Sequence, residues 1–277
     1  MTRKQANALL PDKATSWKIT PHLLVFLLVA PPKWGKTKFF MSNPDALLLA
    51  FETGHRFRRG HKIEIVKWDQ RRGSFEIEKD EEGVPRMTAE QALEVLEATD
   101  KYNFVIMDTV DMAAKMCMDY HCEKLAVAHP SDAGDFGKGW DVTLNSPMRK
   151  YILAILKTGR GVGFVTHTKI EIARFTSGET ARKESTMPSG VARFCISQAD
   201  VMIHGELGKK RPPNKLRDRI LVCEGDLDTL AGNRSDAPLP ERFIVSPDKP
   251  WQQFTKFFVD PKAVLVAERE YKKIYKR

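Results

Sequence analysis

Residues 30–37 read Ala30-Pro31-Pro32-Lys33-Trp34-Gly35-Lys36-Thr37, and this octapeptide constrains the chain more than any other stretch. It follows an apolar run at residues 22–29 and precedes a short helical pattern at 36–41, so it reads as a loop joining a buried strand to a helix. Its spacing matches G-x-x-x-x-G-K-[ST], with Ala30 in place of the first glycine. Such a loop turns N–H groups and a helix N-terminus toward phosphates, reaches the β- and γ-phosphates with Lys36, and offers the Thr37 hydroxyl to Mg²⁺. Gly35 lets the backbone approach closely, whereas Ala30 tolerates fewer backbone angles than the glycine it replaces. The expected nucleotide-binding residues are therefore Ala30, Pro31, Pro32, Lys33, Trp34, Gly35, Lys36, Thr37 and Lys38.

Further apolar runs at 46–51, 104–107, 161–166 and 200–204 read as strands, and residues 88–99, 110–125 and 142–157 carry helical spacing. Strands alternating with helices predict an α/β fold, a mostly parallel central sheet flanked by helices, with its C-terminal strand ends gathered at one edge. Three strands place a polar residue at that edge. Asp108 closes the third run, where it would support Mg²⁺, and it equally suits the cap of the following helix. Glu52 follows the second run, as a base or orienting group for water or as a solvated strand-end carboxylate. His167 follows the fourth, as a γ-phosphate sensor or as a structural histidine. Glu52, Lys36 and His167 are the expected catalytic residues, and Thr37 and Asp108 the metal residues.

The 277 residues carry 45 Lys+Arg against 36 Asp+Glu, a formal charge of +9 that points weakly to an anionic partner. Four scattered cysteines do not make a disulfide framework, and a reducing cytoplasm is the simpler setting. Cys117, His121 and Cys122 lack a second Cys/His pair with zinc spacing. The apolar run at 23–30 stops at Pro31 and Pro32, well short of the roughly 20 residues a membrane span needs. No composition shift marks a boundary, so one domain over 1–277 is expected, with a core at about 20–205 and a basic C-terminal extension at about 206–277. Residues 126–140 and 174–189 read as long loops, the second polar and mobile, and 251–258 and 263–275 as closing helices.

The strand-end residues occur in an order that resembles the RecA-like P-loop ATPases, and among them phage-encoded single-strand-annealing and recombination ATPases. LLLAFETGH resembles the strand ending in the catalytic glutamate (Glu52), FVIMDTVDMA the Mg²⁺ strand (Asp108), and GFVTHTK the strand ending in the sensor (His167). GDFGKGWD also resembles a stretch of the phage proteins, and the likeness runs from about residue 22 to 204, more loosely to 243. It implies a RecA-like core that hydrolyses ATP with Mg²⁺ and binds single-stranded DNA through two loops, here 126–140 and 169–190. It also implies a homo-oligomer, filament or ring, with ATP near subunit interfaces, and a single-strand-binding protein as a candidate partner in the cytoplasm of a bacterial host. The expected DNA contacts are Phe136, Lys138, Lys169, Arg174, Arg182 and Lys183, any of which could equally be a solvated loop residue. Gly208-Lys209-Lys210-Arg211 could approach a neighbour's ATP or form a solvated basic turn. Two other classes fit the loop itself: a helicase- or terminase-like motor on duplex DNA, and a non-catalytic nucleotide-gated protein-binding module.

Overall fold

The computed structural model describes residues 19–55, 59–69, 77–175, 178–211, 216–226 and 229–275. Among these, the strands form one sheet with the order β12-β10-β9-β1-β7-β6-β2-β3-β5-β4. The parallel centre comprises β1 (Val25–Ala30), β2 (Ala46–Ala50), β3 (His61–Lys67), β5 (Pro85–Thr88), β6 (Phe104–Asp108), β7 (Gly161–Phe175) and β9 (Val201–Arg211). Antiparallel pieces close its margins: β4 (Glu78–Lys79), β8 (Gly178–Ser185), β10 (Leu216–Val222), β11 (Gly232–Asn233) and β12 (Arg242–Ile244).

Period-two burial sorts each central strand between two cores. Leu27 and Val29 of β1, with Leu47 and Leu49 of β2 and Val105 and Met107 of β6, face one helical layer. That layer contains α2 (Ala89–Ala98), α3 (Val110–Lys124), α4 (Ser146–Lys157) and α5 (Ser189–Gln198). Phe26, Leu28 and Ala30 face the other way, with Leu48 and Ile106, onto α1 (Lys36–Met41), α6 (Pro250–Lys256) and α7 (Pro261–Tyr275). There Phe26 meets Phe40, Phe104, Trp251, Phe254 and Phe258 at ring separations of 5.4–6.3 Å. Both faces are apolar because both are covered, which explains the uninterrupted hydrophobic runs. α2 begins at a reciprocal cap: Gln91 N–H donates to Thr88 Oγ1 (3.2 Å) and Thr88 N–H to Gln91 Oε1 (2.9 Å).

Three stretches differ from the sequence expectation. The fourth strand does not end near residue 166: β7 runs on to Phe175 and pairs with β8 from Thr168↔Ser185 to Phe175↔Gly178. The expected mobile loop is thus largely a two-stranded arm, held by a backbone ladder that polar sequences form as readily as apolar ones. Residues 208–211 likewise lie in β9 rather than in a turn. The 126–140 segment contains a 3₁₀ turn (Pro130–Ala133) and a helical turn (Lys138–Trp140), continued by a π turn (Asp141–Asn145) into α4. No helix among the described residues is long and apolar enough to cross a membrane.

Candidate active site

Register alone brings the strand-end residues together. Ala30 pairs with His167, Val165 with Asp108, and Asp108 with Ala50, so β1, β7, β6 and β2 end side by side at one edge. Phe51 N–H donates to Asp108 O at 2.8 Å, which carries Glu52 to the same edge. The octapeptide leaves β1 there and enters α1.

Ala30 belongs to β1 and needs no glycine conformation; the positive-φ positions are Lys33 (63°) and Gly35 (101°). Space for its methyl comes from Gly205, where a Cβ would stand 2.6 Å from the Ala30 Cβ. Pro31 and Pro32 lack an N–H, and Trp34 N–H donates to Pro31 O, so inward-facing donors can come only from the rest of the loop and the start of α1. The Trp34 side chain is fully buried and donates from Nε1 to Glu206 O of β9 at 2.9 Å. It anchors the loop from beneath and does not face a ligand. The Lys38 side chain also turns away, donating to Pro247 O at 2.6 Å. The Arg219 guanidinium of β10 packs on Gly35, where a Cβ would stand 2.9 Å from its Cζ.

Lys36 is buried and its ammonium donates to Ala30 O (3.0 Å), Pro31 O (3.3 Å) and His167 Nδ1 (2.8 Å). Burial lowers its pKa, and Asp108, Glu52 and Asp111 oppose that shift. Since Nδ1 accepts from an ammonium, the proton of a neutral His167 ring sits on Nε2, 3.5 Å from Glu52 Oε1. Thr109 Oγ1–H donates to the same Glu52 oxygen at 2.6 Å. The His167 N–H first, and the Thr109 hydroxyl with it, hold the Glu52 carboxyl below its usual range against the opposing effect of burial.

Thr37 Oγ1–H donates to Asp108 Oδ2 at 2.5 Å. Burial pushes the Asp108 carboxyl up, and the Thr37 hydroxyl opposes it. This pair of hard oxygen donors beside Lys36 is the donor set Mg²⁺ prefers, and it fits that ion. Asp111, in the first turn of α3, fixes the β7 end: it accepts from Thr166 Oγ1 (2.6 Å) and from His167 N–H (3.2 Å). Sequence reasoning missed Thr109 and Asp111, although their position just after Asp108 at the start of a helix was a usable signal. It also missed Arg219, which reaches the loop from β10 and carries no local signature.

The expected DNA contacts lie apart from this cluster. Lys169 stands 4.0 Å from Glu184, and Lys183 pairs with Glu206 at 2.6 Å, both at the root of the β7–β8 arm. The side chains of Arg174 and Arg182 lie outside the described residues. Lys169, Lys183 and Arg193 line a cleft of about 690 Å³ between the arm and α5, floored by Met187, Ala192 and Ile196. Phe136 is fully exposed, at φ 51°, and Lys138 is exposed beside it.

A family model described as an AAA domain matches residues 23–235, a span holding the octapeptide, Glu52, Asp108, His167 and the arm. No curated protein matches the chain.

Proposed function

Since the chain belongs to the AAA-domain family, of P-loop NTPase type, we propose that it is a Mg²⁺-dependent ATPase of RecA-like organisation that acts on single-stranded DNA, in the manner of a phage recombination or annealing protein. The observation that carries this reading is the chain of contacts Lys36–His167–Glu52, which joins the phosphate loop, the root of the arm and the carboxylate able to orient water.

The N–H groups at the start of α1 and the Lys36 ammonium receive the β- and γ-phosphates. Thr37 and Asp108 would hold Mg²⁺, which neutralises charge developing on the transferred phosphoryl group. Glu52, kept ionised, orients the attacking water and takes up its proton. When Lys36 exchanges His167 Nδ1 for phosphate oxygens, that nitrogen is released. With the ring N–H moved to that nitrogen, His167 would donate to the γ-phosphate and pass its presence into β7 and the arm. The cleft carries Lys169, Lys183 and Arg193 against Glu184 and Asp226 over an apolar floor, and this net positive lining suits a single strand that displaces the carboxylate partners. Phe136 and Lys138 are further candidates for that strand. A homo-oligomer, a single-strand-binding protein and a host cytoplasm remain parts of the proposal.

The test is ATP hydrolysis with Mg²⁺, alone and with single-stranded or duplex DNA at two salt concentrations. Stimulation mainly by single strands, weaker at higher salt, is expected. Duplex-dependent turnover favours a motor, and tight ATP binding without turnover favours a nucleotide-gated module.

A further inference from the structure

A second cavity, of about 380 Å³, opens between the phosphate loop and the root of the arm. Its floor adjoins the nucleotide site on two sides. Thr168 follows His167 on β7, and His204 on β9 pairs with Val29, one residue before Ala30. Pro31 of the loop itself forms part of the wall.

Two polar atoms at this floor are buried and make no hydrogen bond among the described residues, His204 Nδ1 and Thr168 Oγ1. His204 is 1% exposed. Leaving such atoms unpaired is unfavourable, so a partner with its own donors and acceptors is called for. Burial holds the His204 pKa down, to about 4, so at neutral pH its ring presents one N–H and one lone pair. Thr168 adds a hydroxyl that both donates and accepts. The cations and anions at the rim already answer one another: Lys183 and Glu206 pair at 2.6 Å, and Arg242 reaches Glu206 at 3.0 Å. An anion would meet the Glu206 carboxylate, and the described residues contain no cluster of three metal-ligating side chains. What fits is neutral and carries alternating donors and acceptors.

The walls add that it is flat and apolar on its faces. Ile170 is 74% exposed and Leu207 40%, two aliphatic side chains left in water on the walls of a cavity whose polar groups lie at its floor. A planar heteroaromatic ring would cover them while turning its edge to His204 and Thr168. We infer that the cavity receives one nucleobase of a bound single strand, turned out of the strand and seated between Ile170, Leu207 and Pro31 with its edge on Thr168 and His204. This rests on the single-strand reading above. It prefers a base of the strand to a free nucleoside because Ile170 and Lys183 belong to the same arm that lines the basic cleft. A seated base touches Pro31 and lies next to His167, so occupancy of the strand is felt at the phosphate loop.

The probes are an oligothymidylate and an oligonucleotide of equal length whose central residues are abasic, compared by binding at fixed salt. The wild-type protein is expected to bind the thymidylate about tenfold or more tightly than the abasic strand. Thr168→Val, which keeps the shape, and Ile170→Ala, at an exposed position, are each expected to shrink that ratio severalfold, with melting curves as the control for folding. Equal ratios in the wild type and both variants overturn the inference while leaving single-strand binding intact. Failure of both strands to bind removes the functional reading and this inference together. Free 2-aminopurine riboside separates the sources: if its fluorescence is quenched in a Thr168-dependent way while the strand ratio stays unchanged, the cavity takes a free nucleoside and the strand assignment is wrong.

Discussion

His167 Nδ1 lies 2.8 Å from Lys36 Nζ, so the residue at the root of the arm holds the ammonium of the phosphate loop directly. The other face of the same ring meets Glu52 at 3.5 Å. One imidazole therefore touches the group that binds phosphate and the group that orients water. Replacing His167 with Ala should break both contacts. ATP turnover is expected to fall about tenfold or more, and stimulation by single strands should fall further than basal turnover does. Equal loss of the two rates would mean that His167 contributes to hydrolysis alone.

Glu52→Gln keeps the hydrogen-bonding shape and removes the basic oxygen. Binding of a fluorescent ATP analogue should stay within about twofold of wild type, and turnover should drop by roughly 10²–10⁴, the range for loss of a positioned base. Because the neighbouring N–H and hydroxyl hold the Glu52 pKa down, its ionised form persists into mild acid.

Asp108 behaves in the opposite sense. Its pKa is raised by burial, so on acidification it takes up a proton earlier than an ordinary carboxyl. The Mg²⁺ concentration for half-maximal turnover should therefore rise on acidification, and Asp108→Asn should raise it by about tenfold or more at neutral pH. A Mg²⁺ requirement unchanged by Asp108→Asn would place the metal elsewhere. Chelation of the metal should abolish turnover.

Trp34 couples the loop to β9 through its Nε1–H and the Glu206 carbonyl. Trp34→Phe retains most of the packing and forfeits that bond, at a cost of about 1 kcal/mol in unfolding free energy. Trp34→Ala empties a fully buried site and should cost about 3–5 kcal/mol. Denaturant unfolding curves distinguish the two.

His204 makes stability depend on pH. Its folded pKa is depressed to about 4, chiefly by burial and next by Lys183, with Arg242 acting the same way and Glu206 and Asp226 against it. The unfolded ring protonates near its ordinary value of about 6.5, so below that pH the unfolded state binds the extra proton. The stability from keeping this ring neutral is complete above about 6.5 and declines at roughly 1.4 kcal/mol per pH unit toward 4. His204→Asn should flatten that decline between pH 6.5 and 4.5 relative to wild type.

Much of this site was legible because its residues sit beside strong local signals. The octapeptide, the apolar runs and the polar residues at their ends place Lys36, Thr37, Glu52, Asp108 and His167 on one edge once strands are parallel. The arm was not legible, because Thr168 to Phe175 lies outside the central sheet and shows no apolar run; its ladder is made of backbone groups common to every residue. Nor could Trp34 be read as an anchor, since its partner Glu206 lies 172 residues away. The Ala30 substitution illustrates the same limit. Its fitness depends on Gly205 across the β1–β9 pair, and no pattern near residue 30 carries that fact.

The most direct test of the account is phosphate release from ATP by the wild type, Lys36→Ala and Glu52→Gln, each with Mg²⁺ and with or without single-stranded DNA. The account predicts turnover by the wild type that single strands accelerate, no ATP binding by Lys36→Ala, and ATP bound but scarcely hydrolysed by Glu52→Gln. Equal turnover by the wild type and Glu52→Gln, or ATP bound by the wild type and never hydrolysed, would contradict it.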